Sequence, residues 1–189
     1  MWGRTLRGKT LGIVGYGRIG RAVARQAAAA FDMKIIYHAP REPRIDDPAT
    51  AGPAGAERVD SLETLLARAD VVSLHCPATP ETRHLMNART LALMPAHAYL
   101  VNTARGDVVD EAALASVLKE RKIAGAGLDV FENEPNVPEA LRAIPHVVLA
   151  PHIGSATRQT RQAMADLAFN NLKSHFEGKS VHTPVPECG

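Results

Sequence analysis

The eleven residues TLGIVGYGRIG, at positions 10 to 20, decide the fold of this chain. An apolar strand pattern at Thr10–Val14 runs directly into glycines with the spacing G-x-G-x-x-G, and a helical pattern follows. Strand, glycine loop and helix in this order form a dinucleotide-binding fingerprint. Gly15 permits the tight turn, Gly17 lets the backbone approach a pyrophosphate, and Gly20 lets the helix pack closely on the strand. The N–H groups at the start of the helix then hold the phosphates.

Outward from that loop, short apolar runs alternate with helical patterns. The runs are apolar on both faces, as the strands of a buried parallel sheet are. This alternation predicts a doubly wound α/β sheet of the Rossmann type. Strands are predicted at Thr10–Val14, Lys34–Tyr37, Val71–His75, Ala98–Asn102, Ala124–Asp129 and Val147–Ala150, and helices at Arg18–Phe31, Leu62–Arg68, Arg89–Met94, Glu111–Glu120 and Ala156–Phe176. The segment Pro40–Ala56 has no periodicity and is predicted to be a surface excursion.

The composition excludes several classes of protein. The chain has 189 residues, of which 46% are hydrophobic and 22% charged, with a formal net charge of +2. This is the composition of a globular protein and not of a disordered one. No apolar run approaches the roughly 20 residues that span a bilayer, so no membrane partner is expected. Only two cysteines are present, Cys76 and Cys188, which argues against a disulfide framework and predicts a reducing, cytoplasmic location.

The charge of the first thirty residues allows more than one interpretation. Basic residues precede Asp32 without any acidic one, as in transit peptides and in nucleic-acid-binding faces. Because the same stretch contains the predicted strand and glycine loop, we expect a folded phosphate-binding start and no nucleic-acid partner. The eight histidines include no i, i+4 helical pair and have no cysteine cluster beside them, so no metal site is expected.

The residues after the second strand discriminate between NAD(H) and NADP(H). An Asp or Glu about 20 residues after the glycine loop hydrogen-bonds the ribose 2′-hydroxyl and repels a 2′-phosphate. Here the strand ends in HAPR, at positions 38 to 41, and no carboxylate appears before Glu42. Arg41 and Arg44 carry the planar guanidinium that suits a phosphate. The sequence therefore favours NADP(H), with His38, Arg41 and Arg44 at the site; the alternative is NAD(H), with both arginines as solvated loop residues.

Three later segments each place a chemically capable side chain just past a predicted strand. They carry Arg105 within residues 102–106, Glu134 within residues 127–135 and His152 within residues 151–155. In open α/β sheets, ligands bind outside the carboxyl ends of the strands. We therefore expect the arginine, the glutamate and the histidine to converge at that edge of the sheet.

Four motifs together resemble one known family. The glycine loop, NTARGDVVDE at 102–111, AGLDVFENEP at 126–135 and PHIGSAT at 151–157 resemble the nucleotide-binding domain of the D-isomer-specific 2-hydroxyacid dehydrogenases, in the right order. The resemblance runs from about position 10 to position 178. The run PHIGSATRQTRQAM and the missing acid after the second strand look most like the glyoxylate/hydroxypyruvate reductase and 2-ketogluconate reductase branch, which is commonly NADPH-linked.

The resemblance implies a role for each of the three convergent residues. Arg105 would bind the substrate carboxylate and polarise the 2-keto oxygen. His152 would be the general acid that protonates that oxygen as hydride arrives, and the base in the reverse direction. Glu134 would hydrogen-bond His152 and favour its protonated form.

The resemblance also implies the contacts to the cofactor. The pyrophosphate would face Tyr16, Gly17, Arg18 and Ile19, the adenosine would lie beside Cys76 and Pro77, and the nicotinamide would be surrounded by Thr103, Ala104, Asp129 and Ser155 together with Arg105 and His152. Asp129 would hydrogen-bond the carboxamide; the alternative is an ordinary cap or turn residue at a strand end.

The extent of the resemblance predicts the domain organisation. Residues 1–178 would be the dinucleotide-binding domain, with a lead-in at 1–8, and residues 179–189 a C-terminal tail. Full-length members carry a substrate domain built mostly from residues that precede the nucleotide domain, so we expect that domain to be largely missing here. The family also implies a homodimer. Two functions stay open: an oxidoreductase that transfers hydride from NADPH to a small 2-keto acid, giving a D-2-hydroxy acid, and a truncated, non-catalytic NAD(P)-binding or dimerisation module.

Overall fold

Strands and helices alternate along the chain in a computed structural model that describes residues 5–41 and 51–184. The strands are β1 (Thr10–Val14), β2 (Lys34–His38), β3 (Glu57–Arg58), β4 (Val71–Leu74), β5 (Tyr99–Asn102), β6 (Gly125–Leu128) and β7 (Val147–Leu149). The helices are α1 (Arg18–Phe31), α2 (Leu62–Arg68), α3 (Ala88–Leu91), α4 (Glu111–Lys119), α5 (Glu139–Arg142) and α6 (Arg158–Phe176), and a short 3-10 helix covers Gly106–Val108.

The strands form one parallel sheet in the order β3-β2-β1-β4-β5-β6-β7. The order reverses between β1 and β4, which is the switch point of a doubly wound fold. The predicted fold class is therefore confirmed. Because the strands are parallel, the segments that follow β1, β2, β4, β5 and β6 all leave the sheet at the same edge.

The strands are apolar on both faces because both faces bury side chains. Along β2, Ile35 and Tyr37 belong to a core cluster with Ala24 and Ala27 of α1, whereas Ile36 belongs to a larger cluster with α2. Successive side chains of a strand point to opposite faces, so an uninterrupted apolar run fills two cores at once. This is why the strands lack the polar alternation of a half-exposed sheet.

Local capping explains where several helices begin. The Ser61 hydroxyl accepts a hydrogen bond from the Thr64 amide at the start of α2, so Ser61 caps this helix. The Asp110 carboxylate accepts one from the Ala113 amide at the start of α4. At the other end of α1, Asp32 adopts a left-handed conformation with φ of 52° and ends the helix.

The structure differs from the sequence prediction at several short elements. The sequence did not predict β3 or α5, which have two and four residues and show no apolar periodicity of their own. Helix α3 covers Ala88–Leu91 instead of Arg89–Met94, because Asn87 and Thr90 form a capping box that fixes its start. Helix α6 begins at Arg158 and not at Ala156, since Thr157 is its cap. The predicted excursion Pro40–Ala56 lies partly outside the described residues.

Contacts divide the chain into two units, residues 1–151 and residues 152–189. The first contains the whole sheet and helices α1 to α5. In the second, the segment after α6 is tied back to that helix, because the Asn171 side chain accepts a hydrogen bond from the His182 amide at 2.8 Å and donates one to the Thr183 hydroxyl. Over residues 5–41 and 51–184, no helix is both long and apolar enough to cross a bilayer.

Candidate cofactor site and catalytic loops

The three glycines of the loop have different surroundings. Gly15 has φ of +91°, and a Cβ there would lie 2.7 Å from the backbone of His75 and Cys76. A Cβ on Gly20 would lie 2.3 Å from the carbonyl oxygen of Gly15. A Cβ on Gly17 would meet nothing within 4 Å. Packing within the protein therefore requires glycine at positions 15 and 20, whereas the space above Gly17 is open to a ligand.

The start of α1 has the character of an anion site. Gly17 is the N-cap and supplies no side-chain hydrogen bond, and the first turn contains no acidic residue. The first N–H groups of a helix have no partner within the helix and carry partial positive charge. The Ile19 side chain is 69% exposed beside them. Tyr16 differs, because its ring is buried and stacks on Tyr37 with a centroid distance of 3.7 Å, so a ligand at this loop meets its backbone only.

The glycine loop joins the end of β2 directly. The Gly15 amide donates to the His38 carbonyl at 2.9 Å, and the His38 ring lies 3.2 Å from the Val59 carbonyl through Nδ1. The side chain of Arg41 is exposed just beyond, and Arg44 lies outside the described residues. No carboxylate follows β2 before position 42, so nothing between His38 and Arg41 repels a 2′-phosphate.

The segment after β4 also lies at the carboxyl edge of the sheet. The Cys76 thiol is buried, and burial raises its pKa, which disfavours the reactive thiolate form. Pro77 is exposed, and its carbonyl accepts a hydrogen bond from the Thr82 hydroxyl at 2.6 Å. Burial also lowers the pKa of the neighbouring His75, whose Nε2 lies 2.9 Å from the Ser73 hydroxyl.

A buried asparagine shapes the turn that carries Arg105. Asn102, the last residue of β5, is 1% exposed. Its Oδ1 accepts from the Ala104 amide at 3.0 Å, and its Nδ2 donates to the Arg105 carbonyl at 2.8 Å. The side chains of Thr103 and Arg105 are left exposed at the carboxyl edge. Asn102 was not predicted as a site residue, although it is the first residue of the motif NTARG.

The loops after β5 and β6 are packed against each other. A Cβ on Gly106 would lie 2.0 Å from the Phe131 carbonyl carbon, so only glycine allows this approach. In the second loop, Glu134 accepts a hydrogen bond from the Phe131 amide at 3.0 Å, and the buried Asp129 bonds through its amide to the Asn102 carbonyl at 2.9 Å. The structure therefore brings Arg105 and Glu134 onto adjoining loops.

Two further glutamates brace these loops, and sequence reasoning missed both. The Glu111 carboxylate accepts from the Glu132 amide at 2.9 Å, and the Glu132 carboxylate accepts from the Glu111 amide at 3.1 Å. Burial raises the pKa of Glu111, and the charges of Glu132 and Glu134 add to that rise. This reciprocal pair fixes the start of α4 to the loop of Glu134. The signal for it was the first carboxylate in the sequence FENE at 131–134, which is Glu132, two positions before Glu134.

The histidine of the predicted trio opens the second structural unit. His152 has φ of 55°, an unusual left-handed conformation for a residue other than glycine. Its side chain and that of Ser155 are exposed in a turn closed by the Ala156 amide on the Ile153 carbonyl at 2.9 Å. The predicted contact between His152 and Glu134 stays a prediction. Over the described part of the chain, no three His, Cys, Asp or Glu side chains are grouped as metal ligands would be.

Comparison with known proteins supports the same interpretation. The family model described as the NAD-binding domain of D-isomer-specific 2-hydroxyacid dehydrogenases matches residues 1–154. A glyoxylate reductase of Thermococcus litoralis is 52% identical over 177 residues, which are 94% of this chain and 52% of that protein. A hydroxyphenylpyruvate reductase of Plectranthus scutellarioides is 45% identical over 94% of this chain and 54% of its own length.

Solved structures agree in fold. An NADPH-dependent glyoxylate/hydroxypyruvate reductase from Sinorhizobium meliloti, crystallised with NADP and malonate, superposes with a TM-score of 0.86 at 44% identity, covering 97% of this chain and 55% of that one. The chain thus spans about half the length of the relatives it matches. The glycine loop in its strand–helix context and these matches together show that the chain belongs to the D-isomer-specific 2-hydroxyacid dehydrogenase family, as an NAD(P)-binding domain of the Rossmann type.

Proposed function

We propose that this chain carries the cofactor site and the catalytic residues of a 2-keto acid reductase that prefers NADPH. The substrate would be a small 2-keto acid of the glyoxylate, hydroxypyruvate or 2-ketogluconate type, and the product a D-2-hydroxy acid. The observation that supports this most directly is the contact between the Arg105 loop and the Glu134 loop, at the edge where the glycine loop lies. The sequences named glyoxylate reductase give the same indication of substrate class.

The cofactor preference has its own support. The arginine at position 41 and the absence of a carboxylate from positions 38 to 41 favour a 2′-phosphate. The relative from Sinorhizobium meliloti is named as NADPH-dependent and was crystallised with NADP. In this chain, the amides that open α1 would hold the pyrophosphate, His38 and Arg41 would face the ribose, and Thr103, Ala104, Asp129 and Ser155 would face the nicotinamide.

The proposed reaction divides its tasks among three side chains. NADPH, when bound, supplies the hydride for the keto carbon. The Arg105 guanidinium would pair with the substrate carboxylate and draw electron density towards the keto oxygen. His152 would donate its proton to that oxygen, which completes the hydroxyl group. Glu134, held by the Phe131 amide, would orient His152 and stabilise its protonated form.

Replacement of the proposed acid tests the function. His152→Asn should reduce turnover by about 10²–10⁴-fold, the typical contribution of a positioned proton donor. NADPH oxidation would be measured with glyoxylate, hydroxypyruvate and 2-ketogluconate, and the NADPH dissociation constant by fluorescence titration. That constant should change far less than turnover, because His152 would lie only at the nicotinamide end of the cofactor and would give its proton to the substrate. His175→Asn, at an exposed histidine that contacts Phe176 on α6, is the matched control and should keep full activity.

The outcomes separate the proposal from its alternative. If the wild-type chain binds NADPH but turns over none of the three acids, it acts as a non-catalytic NAD(P)-binding or dimerisation module. If His152→Asn retains wild-type turnover, the assignment of the acid is wrong. The family resemblance also leads us to propose a homodimer in the cytoplasm, which sedimentation of the purified chain and fluorescence microscopy of a tagged one would test.

A further inference from the structure

His84 lies where the segments that follow three strands meet. It belongs to the segment between β4 and α3. Its backbone amide donates to the Asp107 carbonyl at 2.8 Å, in the 3-10 turn that begins just after Arg105. Its ring nitrogen Nε2 lies 3.3 Å from Oε1 of Glu132, in the loop after β6. One residue of the β4 segment therefore contacts both the loop after β5 and the loop after β6.

The backbone around His84 is fixed independently of its ring. The amide of Met86 donates to the Val108 carbonyl at 3.0 Å, and its carbonyl accepts from the Asp110 amide at 2.9 Å. The Asn87 side chain donates to the His84 carbonyl at 3.0 Å. His84 itself has φ of 48°, in the left-handed region where histidine and asparagine are enriched. Because these bonds use backbone atoms of residues 84 and 86, a change of the His84 side chain can leave the segment in place.

The ring of His84 faces a group of carboxylates. Glu132 and Glu111 each accept a hydrogen bond from the other's backbone amide. Burial raises the pKa of Glu111, and the negative charges of Glu132 and Glu134 add to that rise, so these carboxylates repel one another. When protonated, the His84 imidazole places a positive charge beside Glu132 and offsets part of this repulsion. The contact therefore stabilises Glu132 in the position from which it braces the loop of Glu134.

From these contacts we infer that His84 is a positioning residue, which acts through Glu132 to hold the loop of Asp129 and Glu134 at the nicotinamide end of the cofactor. The inference rests on the proposed function and adds to it a link between the two ends of the site, because His84 and Cys76 share one segment. A loop that is already in place when the ligand arrives loses less conformational freedom on binding, which favours affinity.

Hydrogen exchange of the ligand-free chain tests the contact itself. His84→Asn removes the imidazole and keeps a residue that tolerates positive φ. The amides of Glu111 and Glu132 should then exchange about tenfold faster, because the carboxylates that accept from them lose part of their support. The amides of β1 should exchange as in the wild type, since β1 has no part in these contacts.

A partner variant and a matched control show whether the effect comes from this pair. Glu132→Gln should also speed exchange at Glu111, and adding His84→Asn to it should have little further effect, because the two side chains act as one pair. His84→Arg returns a positive group beside Glu132 and should recover part of the protection. His97→Asn removes a contact of 2.9 Å with Asp70, which lies before β4, and should leave these amides unchanged.

Ligand affinity separates a positioning role from a purely structural one. Dissociation constants of NADP⁺ and of adenosine 2′,5′-bisphosphate, which lacks the nicotinamide half, would be measured by calorimetry for the wild type and the same variants. His84→Asn should weaken NADP⁺ by about three- to tenfold and the bisphosphate by less than about twofold, because only NADP⁺ would reach the loop of Glu134. His84→Arg should regain part of the NADP⁺ affinity, and His97→Asn should bind both ligands as the wild type does.

Each outcome supports or overturns the inference. Unchanged exchange at Glu111 and Glu132 in His84→Asn means that the ring does not support this loop, and the inference is overturned. If NADP⁺ and the bisphosphate weaken equally, or if neither weakens, His84 serves only the structure of its surroundings, and the inference is again overturned. If the wild type binds neither ligand, the proposed function fails at its cofactor, which is seen before any variant is made, and the role of His84 fails with it.

Discussion

Two glycines of the same loop should respond in opposite ways to the addition of one methyl group. At Gly20 the added Cβ would lie 2.3 Å from the Gly15 carbonyl oxygen and 3.1 Å from Cγ2 of Ile13. At Gly17 it would meet nothing within 4 Å, and φ there is −73°, which alanine adopts freely. Gly20→Ala therefore perturbs the packing of α1 on β1, and Gly17→Ala perturbs the space for a ligand.

The cost at Gly20 follows from the displacement it requires. To reach an ordinary contact of 3.4 Å from 2.3 Å, the start of α1 must move by about 1 Å. Overpacking of this kind costs about 1–3 kcal/mol of the free energy of unfolding. Alanine in a helix returns about 0.5–1 kcal/mol relative to glycine. The net loss for Gly20→Ala should therefore be about 1–2 kcal/mol, whereas Gly17→Ala, at a helix N-cap, should change stability by less than about 1 kcal/mol.

Urea denaturation followed by circular dichroism gives the free energies of unfolding, and NADPH fluorescence titration gives the affinities. Gly17→Ala should keep its stability and lose at least about tenfold in NADPH affinity, because a methyl group occupies the approach of the pyrophosphate. Gly20→Ala should unfold at a lower urea concentration. Under conditions where it is folded, its NADPH affinity should fall less than that of Gly17→Ala. Wild-type NADPH affinity in Gly17→Ala, or unchanged stability in Gly20→Ala, would refute this division of roles.

Two further predictions concern the braced loops. Asn102→Ala removes both hydrogen bonds of a buried side chain. The Ala104 amide loses its acceptor, and the Arg105 carbonyl keeps only the longer bond from the Val108 amide at 3.4 Å. The free energy of unfolding measured in urea should therefore fall by about 1–3 kcal/mol, and a loss below about 0.5 kcal/mol would contradict the role of Asn102 in shaping this turn. Burial raises the pKa of Glu111, so the folded protein binds a proton on this carboxyl more tightly than the unfolded chain does. The contribution of Glu111 to stability therefore declines as the pH rises above the ordinary pKa of a glutamate. The stability of Glu111→Gln relative to wild type, measured by thermal melts, should therefore be higher at pH 7 than at pH 4. Glu120→Gln should show the opposite sign, because the hydrogen bond from Lys122 lowers the pKa of the exposed Glu120. If the difference between Glu111→Gln and wild type is the same at both pH values, the pKa of Glu111 is not raised in the folded protein.

The long elements were predictable because their patterns are local. Helix α1 covers Arg18–Phe31 and α2 covers Leu62–Arg68, both as predicted, since each follows from its own periodicity and cap. The predicted glycine loop is also confirmed in context, between a parallel strand and a helix. In contrast, β3 consists of two exposed polar residues that form a strand only because β2 offers an unpaired edge.

The site shows the same division. Arg105 and Glu134 stand in motifs that the sequence displays, and their loops do adjoin each other. Asn102, Glu111 and Glu132 were missed, because their importance lies in hydrogen bonds to backbone groups of other segments. The spacing of residues along a chain does not reveal which amide a buried carboxylate will meet.

By itself the sequence determined the doubly wound fold, the phosphate-binding loop and the chemical identity of the residues at the carboxyl edge. These follow from short-range spacing. A strand, a glycine turn and the start of a helix within eleven residues place the first amides of the helix in the one position where they can bind a phosphate. Only the tertiary structure decided which side chains hold the loops together, and that His84 contacts the loops after β5 and β6. Pairing between strands joins segments that are far apart in the sequence, so it brings together residues whose contacts the local sequence pattern does not predict.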